Sequence, residues 1–181
     1  VVSCGTCYDQ LQGYEFEKIF PGCRIIDIHE FLLEKGIKLD AQGAYLYHDP
    51  CHTPLKQQDP MKTVKSLVGS QVIKSDRCCG ESGTLGVTRP DISTQIRFRK
   101  EEELRKSEAQ LRASGALPAQ GNVKVLTSCP SCLQGLSRYD NDAGTTADYI
   151  VVEMANKILG KEWMPQYVER ANAGGIERVL V

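Results

Sequence analysis

Apolar positions along the chain follow two rhythms. Short, β-branched runs at Arg24–Ile28, Ala44–Tyr47, Gln71–Ile73 and Val123–Leu126 have the length of strands buried in a parallel sheet. Helical stretches lie between them. Ile150, Val151, Met154, Ala155, Ile158 and Leu159 recur at helical spacing, which predicts an amphipathic helix closed by Gly160. The segment from Asp91 to about Ser114 also reads as a helix. Its apolar positions (Ile92, Ile96, Leu104, Leu111) are sparse among charges, so it is expected to lie on the surface and project. Ser114 to Asn122, with two Gly and one Pro, is a loop returning to the strand at Val123. This alternation argues an α/β fold, a mainly parallel sheet with flanking helices.

A repeat is visible within that rhythm. Ser3-Cys4-Gly5-Thr6-Cys7 followed by Leu11 matches Ser128-Cys129-Pro130-Ser131-Cys132 followed by Leu136. Each copy follows an apolar run and precedes a second strand-plus-helix unit. The first such helix contains Glu30-Phe31-Leu32 and the second Glu153-Met154-Ala155. The chain is therefore expected to carry the tail of one structural repeat and the whole of a second. Val1-Val2-Ser3-Cys4 reads as the inside of a strand, so a longer parent polypeptide is expected.

The cysteines sit where a parallel sheet gathers its ligands. Cys4 follows Val1-Val2, Cys51 follows Tyr45-Leu46-Tyr47, Cys78 and Cys79 follow Val72-Ile73, and Cys129 follows Val125-Leu126. The carboxyl ends of parallel strands share one edge, where binding sites form. Cysteines with 26 residues between them (Cys51 and Cys78) and 49 between them (Cys79 and Cys129) would meet there. Cys129 and Cys132 open a short helix, Pro130 to Leu136, whose first-turn amides favour thiolate over thiol. Pro130 fits an early helical position. Gly80-Glu81-Ser82-Gly83 is a loop that lets backbone approach a bulky inorganic core, which marks Gly80 and Gly83 as cofactor-contact candidates. Gly80, Gly83 and Gly86 do not form a dinucleotide-binding pattern.

Composition narrows the chemistry. Of 181 residues, 41% are hydrophobic and 25% charged, enough for one domain with a sizeable core. The net charge of −1, with interleaved signs, gives no basic face for nucleic acid. No apolar run is long enough to span a bilayer, and no secretory signal is present. A cytoplasmic protein is expected, at most peripheral at the inner face of the membrane. Eight cysteines are too few for a disulfide scaffold at this length, which points to reduced thiols in metal or redox work.

Adjacent Cys78 and Cys79 are poorly placed to bridge each other. Structural zinc takes four ligands and would leave one of Cys51, Cys78, Cys79, Cys129 and Cys132 over. Iron–sulfur clusters are held by thiolates and can use more than four when the geometry departs from a cube. The reading favours iron–sulfur, with zinc and thiol redox chemistry left open. His48 and His52 bracket Cys51 as hydrogen-bond donors to sulfur, proton donors or zinc ligands, or merely as the end of a strand and the start of a turn. His29 is expected to be solvated on a helix, and Cys23 to be a small buried residue. Tyr45, Tyr47, Tyr139 and Trp163 read as core or rim.

Tyr47-His48-Asp49-Pro50-Cys51-His52, Cys78-Cys79-Gly80 and Ser128-Cys129-Pro130-Ser131-Cys132, in that order, resemble the cysteine-rich CCG domain. That domain occurs twice in one of the subunits of heterodisulfide reductase. It also occurs in the iron–sulfur subunits of glycolate oxidase and anaerobic glycerol-3-phosphate dehydrogenase, and in FAD-linked D-lactate-dehydrogenase-like oxidases. The resemblance covers about Val1 to Gly160. It implies that Cys51, Cys78, Cys79, Cys129 and Cys132 are the full ligand set of a second copy (41–160). Cys4 and Cys7 become the CxxC of a first copy whose tail is 1–40, and 161–181 a C-terminal helix or tail, all in one compact domain. The gap before the CC pair is shorter than usual in the family and the one after it longer, the excess falling after Asp91.

The role implied is electron transfer within a larger oxidoreductase, through a cluster expected to be 4Fe–4S, with FAD in another domain. Flavin and ferredoxin-like domains or subunits are the expected partners upstream. A quinone, a disulfide or a protein is the expected acceptor of electrons drawn from a 2-hydroxy acid. Nothing in the chain looks like a substrate base, so this portion is not expected to be catalytic alone.

Overall fold

Four short strands form one all-parallel sheet: β1 (Tyr45–His48), β2 (Val72–Lys74), β3 (Val123–Thr127) and β4 (Thr145–Tyr149), in the order β2-β1-β3-β4. The computed structural model describes residues 1–39, 43–81, 84–117 and 121–174. The helices, in chain order, are α1 (Gly5–Gln12), α2 (Phe16–Ile19), α3 (Ile28–Glu34), α4 (Pro60–Val68), α5 (Leu85–Thr88), α6 (Pro90–Ala113), α7 (Pro130–Leu136), α8 (Ile150–Leu159) and α9 (Trp163–Asn172).

Strand alternation splits the core into two layers. Tyr45, Tyr47, Val72 and Leu126 pack on one face with Val64, Leu67 and Val68 of α4 and with Ile150 and Met154 of α8. Leu46, Val123 and Val125 face the other way, onto Leu104 and Leu111 of α6 and Leu136 of α7. Both faces are covered, which is why β1 and β3 read as nearly continuous apolar runs. Asp59 accepts from the Lys62 amide (2.8 Å), and Pro60 takes the first helical position, so α4 starts where side-chain capping predicts.

Three of the four expected strands are present as β1, β2 and β3. The fourth, Arg24–Ile28, shrinks to a single parallel bridge between Val2 and Asp27, closed by Val2 N to Ile26 O (2.9 Å) and Ile28 N to Val2 O (2.8 Å). Asp27 ends the extended run because its carboxylate caps α3, accepting from the His29 amide (2.8 Å).

Three expectations about burial are corrected. The helix after Asp91 does not project: Ser93, Lys100, Leu104, Ser107 and Leu111 form a buried face against the sheet. Its outer face is held by charge pairs one turn apart, Glu101–Arg105 and Glu108–Arg112, each at 2.8 Å. The serines and the lysine on the buried face hid that stripe from a hydrophobic pattern. His29 is fully buried, with Nδ1 2.7 Å from Asp27 Oδ1. Cys23 is exposed.

The two CxxC segments share one local conformation. Cys4 (φ −140°, ψ 129°) and Cys129 (φ −133°, ψ 130°) are the N-caps of α1 and α7, and the second cysteine of each is the third helical residue. Val2 pairs with Asp27, as β3 pairs with β4, and α3 and α8 follow directly.

Candidate metal centre

The strand order sets where a ligand can enter. From β1 the chain moves outward to β2, then crosses back to β3 on the other side of β1 and on to β4. The carboxyl ends of β1 and β3 therefore flank a topological switch point, the usual position of an α/β binding crevice. Cys51 follows β1 and Cys129 follows β3, with Cys78 and Cys79 just past the neighbouring β2.

Backbone close approach brings the last cysteine against this edge. A Cβ on Gly135 would stand 3.0 Å from Glu81 Cβ and 3.2 Å from the Cys79 carbonyl, so only glycine lets α7 press so closely on the CC segment. Arg138 and Glu81 pin the same contact (2.7 Å). The result is a Cys79–Cys132 sulfur separation of 3.3 Å, with both residues buried. A ring nitrogen of His48, which ends β1 and is also buried, lies within 4.8 Å of both sulfurs.

The turn carrying the CC pair is strained and tightly held. Arg77 has φ +67° and Gly80 φ +76°, the left-handed region on either side of the pair. The Gly80 amide points at Cys78 Sγ (3.3 Å), and Ser93 donates to the Gly80 carbonyl (3.0 Å). Cys51 and Cys78, both exposed, line a cavity of about 200 Å³ with His48, Asp49, Arg77 and Cys79.

Thiol protons are shared within this group. The Cys79 thiol is held well below its ordinary range by its hydrogen bonds with Cys132 and Cys78. Cys129 is lowered to about 6, first by a hydrogen bond from Cys132 and further by the Ser131 and Cys132 amides at the start of α7. Cys132 is pushed up through its bonds to Cys129 and Cys79, and Cys78 through its bond to Cys79. Opposed shifts on neighbouring sulfurs mark a hydrogen-bonded thiol cluster centred on Cys79 and Cys132. The group suits an inorganic core that replaces the shared protons with metal.

The remaining sequence candidates divide. Cys4 is half-buried and Cys7 exposed, and Cys4 raises the Cys7 thiol through a side-chain hydrogen bond. Their helix α1 abuts the turn after Cys51, because a Cβ on Gly5 would overlap the His52 carbonyl. His52 pairs with Asp9, and its Nδ1 lies 3.5 Å from Thr6 Oγ1, so its ring is engaged on α1, apart from the buried sulfurs. Gly83 lies outside the described residues. Tyr45, Tyr47 and Tyr139 are buried core, as expected. Two side chains near the sulfurs carry no motif in the sequence. Tyr149 lies within electrostatic range of Cys129, Cys4 and Cys132. Lys100 is fully buried on α6 with Nζ 3.2 Å from His48 Nδ1. Burial lowers Lys100 to about 8, opposed by Glu103 and Cys79.

Comparison with known proteins accords with this arrangement. The profile of the cysteine-rich domain, CCG, matches residues 45–137, and that of a domain of unknown function, DUF3400, matches 137–181. A fumarate reductase (CoM/CoB) subunit of Methanothermobacter marburgensis is 29% identical over 145 residues, 73% of this chain and 26% of that protein. An uncharacterized iron–sulfur protein of Methanocaldococcus jannaschii is 30% identical over 138 residues, 73% of this chain and 25% of that protein. A probable glycolate oxidase iron–sulfur subunit of Bacillus subtilis is 22% identical over 140 residues, 74% of this chain and 28% of that protein. The chain thus spans between 25% and 28% of the length of these three relatives. No solved structure matches it. With the CCG profile spanning β1, β2, β3 and all five cysteines of the candidate centre, the chain belongs to the cysteine-rich CCG domain family.

Proposed function

We propose that this chain is the iron–sulfur electron-transfer domain of a larger oxidoreductase, with Cys51, Cys78, Cys79, Cys129 and Cys132 holding the cluster. The observation that carries the reading is the convergence of unbridged thiols at the switch point, two of them buried with sulfurs 3.3 Å apart. Five thiols exceed what a four-coordinate zinc site takes, and they suit a cluster of several irons. A cluster bound here supplies one-electron transfer. The protein's own part is to hold the sulfurs, offset their charge with the α7 amides and Lys100, and leave Cys51 and Cys78 on the open side.

The iron–sulfur names of the relatives support this assignment, and the glycolate oxidase relative supports a 2-hydroxy acid as the electron source of the parent enzyme. In this reading FAD and further centres lie in other domains or subunits, the cluster is of the 4Fe–4S type, and electrons leave to a quinone, a disulfide or a protein. Among the described residues no helix is long and apolar enough to cross a membrane, which suits a cytoplasmic site or one peripheral to its inner face. The shared conformation of Cys4 and Cys129 supports residues 1–40 as the tail of a first copy and 41–160 as a complete second one. Anaerobic reconstitution with iron and sulfide, followed by EPR of the reduced and oxidised chain, tests the proposal. A one-electron signal that disappears in Cys79→Ser and Cys132→Ser supports it; a chain silent in both states contradicts it.

A further inference from the structure

Lys100 occupies an unusual place for a lysine, the middle of α6 with no exposed surface. Its Nζ lies 3.0 Å from the Ser75 carbonyl, 3.0 Å from Ser75 Oγ, 2.6 Å from the Asp76 carbonyl and 3.2 Å from His48 Nδ1. An ammonium has three protons to give and no lone pair to offer, so a protonated His48 Nδ1 would face it donor against donor. The contact therefore favours a bare His48 Nδ1, with the proton of the neutral ring on Nε2.

A metal-ligating histidine has the opposite surroundings. One nitrogen gives its lone pair to the metal, and the other donates its N–H to a carboxylate, a carbonyl or water. If Nε2 were the ligand here, Nδ1–H would point at an ammonium, donor against donor. If Nδ1 were the ligand, Lys100 Nζ would stand in the place of the metal. Cys79, Cys132 and His48 have the spacing of a three-ligand metal site, yet the ammonium behind the ring opposes it.

We propose that Lys100 is a positioning residue. By donating to Nδ1 it fixes His48 as the Nε2–H tautomer, making His48 a hydrogen-bond donor to cysteine sulfur and excluding it from the ligand set. The proposal rests on the reading of the five cysteines as cluster ligands. It adds what no motif shows, namely that a residue within the long charged helix governs the histidine beside Cys51. Hydrogen bonds to cluster sulfur raise the reduction potential, so the Lys100–His48 pair sets the potential upward.

The test has two readouts. In the reduced, metal-free wild-type chain at neutral pH, long-range proton–nitrogen NMR reads the His48 tautomer directly, with the resonances assigned by their loss in His48→Gln. A protonated Nε2 with a bare Nδ1 is expected; a protonated Nδ1 overturns the proposal and needs no Lys100 variant to fold. In the reconstituted chain, Lys100→Met is expected to keep its iron and sulfide content and to titrate at a lower midpoint potential than wild type. An unchanged potential at full loading overturns the proposal. Failure of the wild-type chain to take up iron and sulfide would instead strike at the ligand reading, and the tautomer of the metal-free chain would still decide the role of Lys100.

Discussion

The sulfurs of Cys79 and Cys132 stand 3.3 Å apart although the two residues are 53 positions apart in sequence. Between them the chain traverses α5, α6 and β3, passing from one side of β1 to the other. Their meeting is a product of strand order, and it divides the eight cysteines into protected and open groups. Alkylation with iodoacetamide followed by mass spectrometry reads that division. In the metal-free chain Cys7, Cys23, Cys51 and Cys78 are expected to react ahead of Cys79 and Cys132. After loading with iron and sulfide, Cys51 and Cys78 should fall silent while Cys7 and Cys23 still react. Unchanged labelling of Cys51 and Cys78 would remove them from the ligand set.

The Cys129 thiol, lowered to about 6 by the hydrogen bond from Cys132 and the α7 amides, gives a pH signature. A group whose folded value lies below its unfolded one stabilises the fold above the unfolded value, and that contribution is lost as pH falls through the folded one. The metal-free chain should therefore grow more resistant to urea between about pH 6 and the ordinary thiol range of about 8.5. Thiolate ultraviolet absorbance should show a step centred near pH 6, absent in Cys129→Ser. A step that survives the substitution would assign it to another thiol.

Gly5 tests how the first CxxC helix is joined to the Cys51 turn. A Cβ there would run into the backbone oxygen of His52, and backbone cannot swing aside as a side chain can. Gly5→Ala should cost about 1–3 kcal/mol of unfolding free energy, the usual range for overpacking. It should also speed alkylation of Cys51 by moving its turn. A variant as stable as wild type would mean that α1 does not rest on that turn.

Leu104 tests whether α6 belongs to the core. It has no exposed surface, whereas Phe98 on the same helix is 59% exposed. Leu104→Ala should cost about 2–5 kcal/mol. Phe98→Ala should stay within about 0.5 kcal/mol, as surface changes do. Equal, small effects would return α6 to the role of a projecting arm.

The sequence makes β1, β2 and β3 legible because their short apolar runs, aromatic in β1 and β-branched in β2 and β3, carry no competing signal. Strand β4, Thr145-Thr146-Ala147-Asp148-Tyr149, does not stand out among those runs because it lies at the sheet edge and has little apolar content. The cysteines could be placed on one edge from their position after strands, but not ranked. Burial of Cys79 and Cys132 against exposure of Cys51 and Cys78 depends on the Gly135 contact, which one chain position does not announce. Lys100 was illegible for a different reason. It is one charge among many on α6, and only the packing of Ser93, Leu104, Ser107 and Leu111 turns its side chain inward. His52, next to Cys51 in sequence, pairs with Asp9 on α1, a contact that its place beside the cysteine does not announce.

The most direct measurement is iron, acid-labile sulfide and zinc per chain after strictly anaerobic purification. Several irons with comparable sulfide, lost together in Cys79→Ser and Cys132→Ser, are expected, with no stoichiometric zinc. One zinc per chain with no sulfide would contradict the cluster assignment and make these thiols a structural staple of the sheet edge.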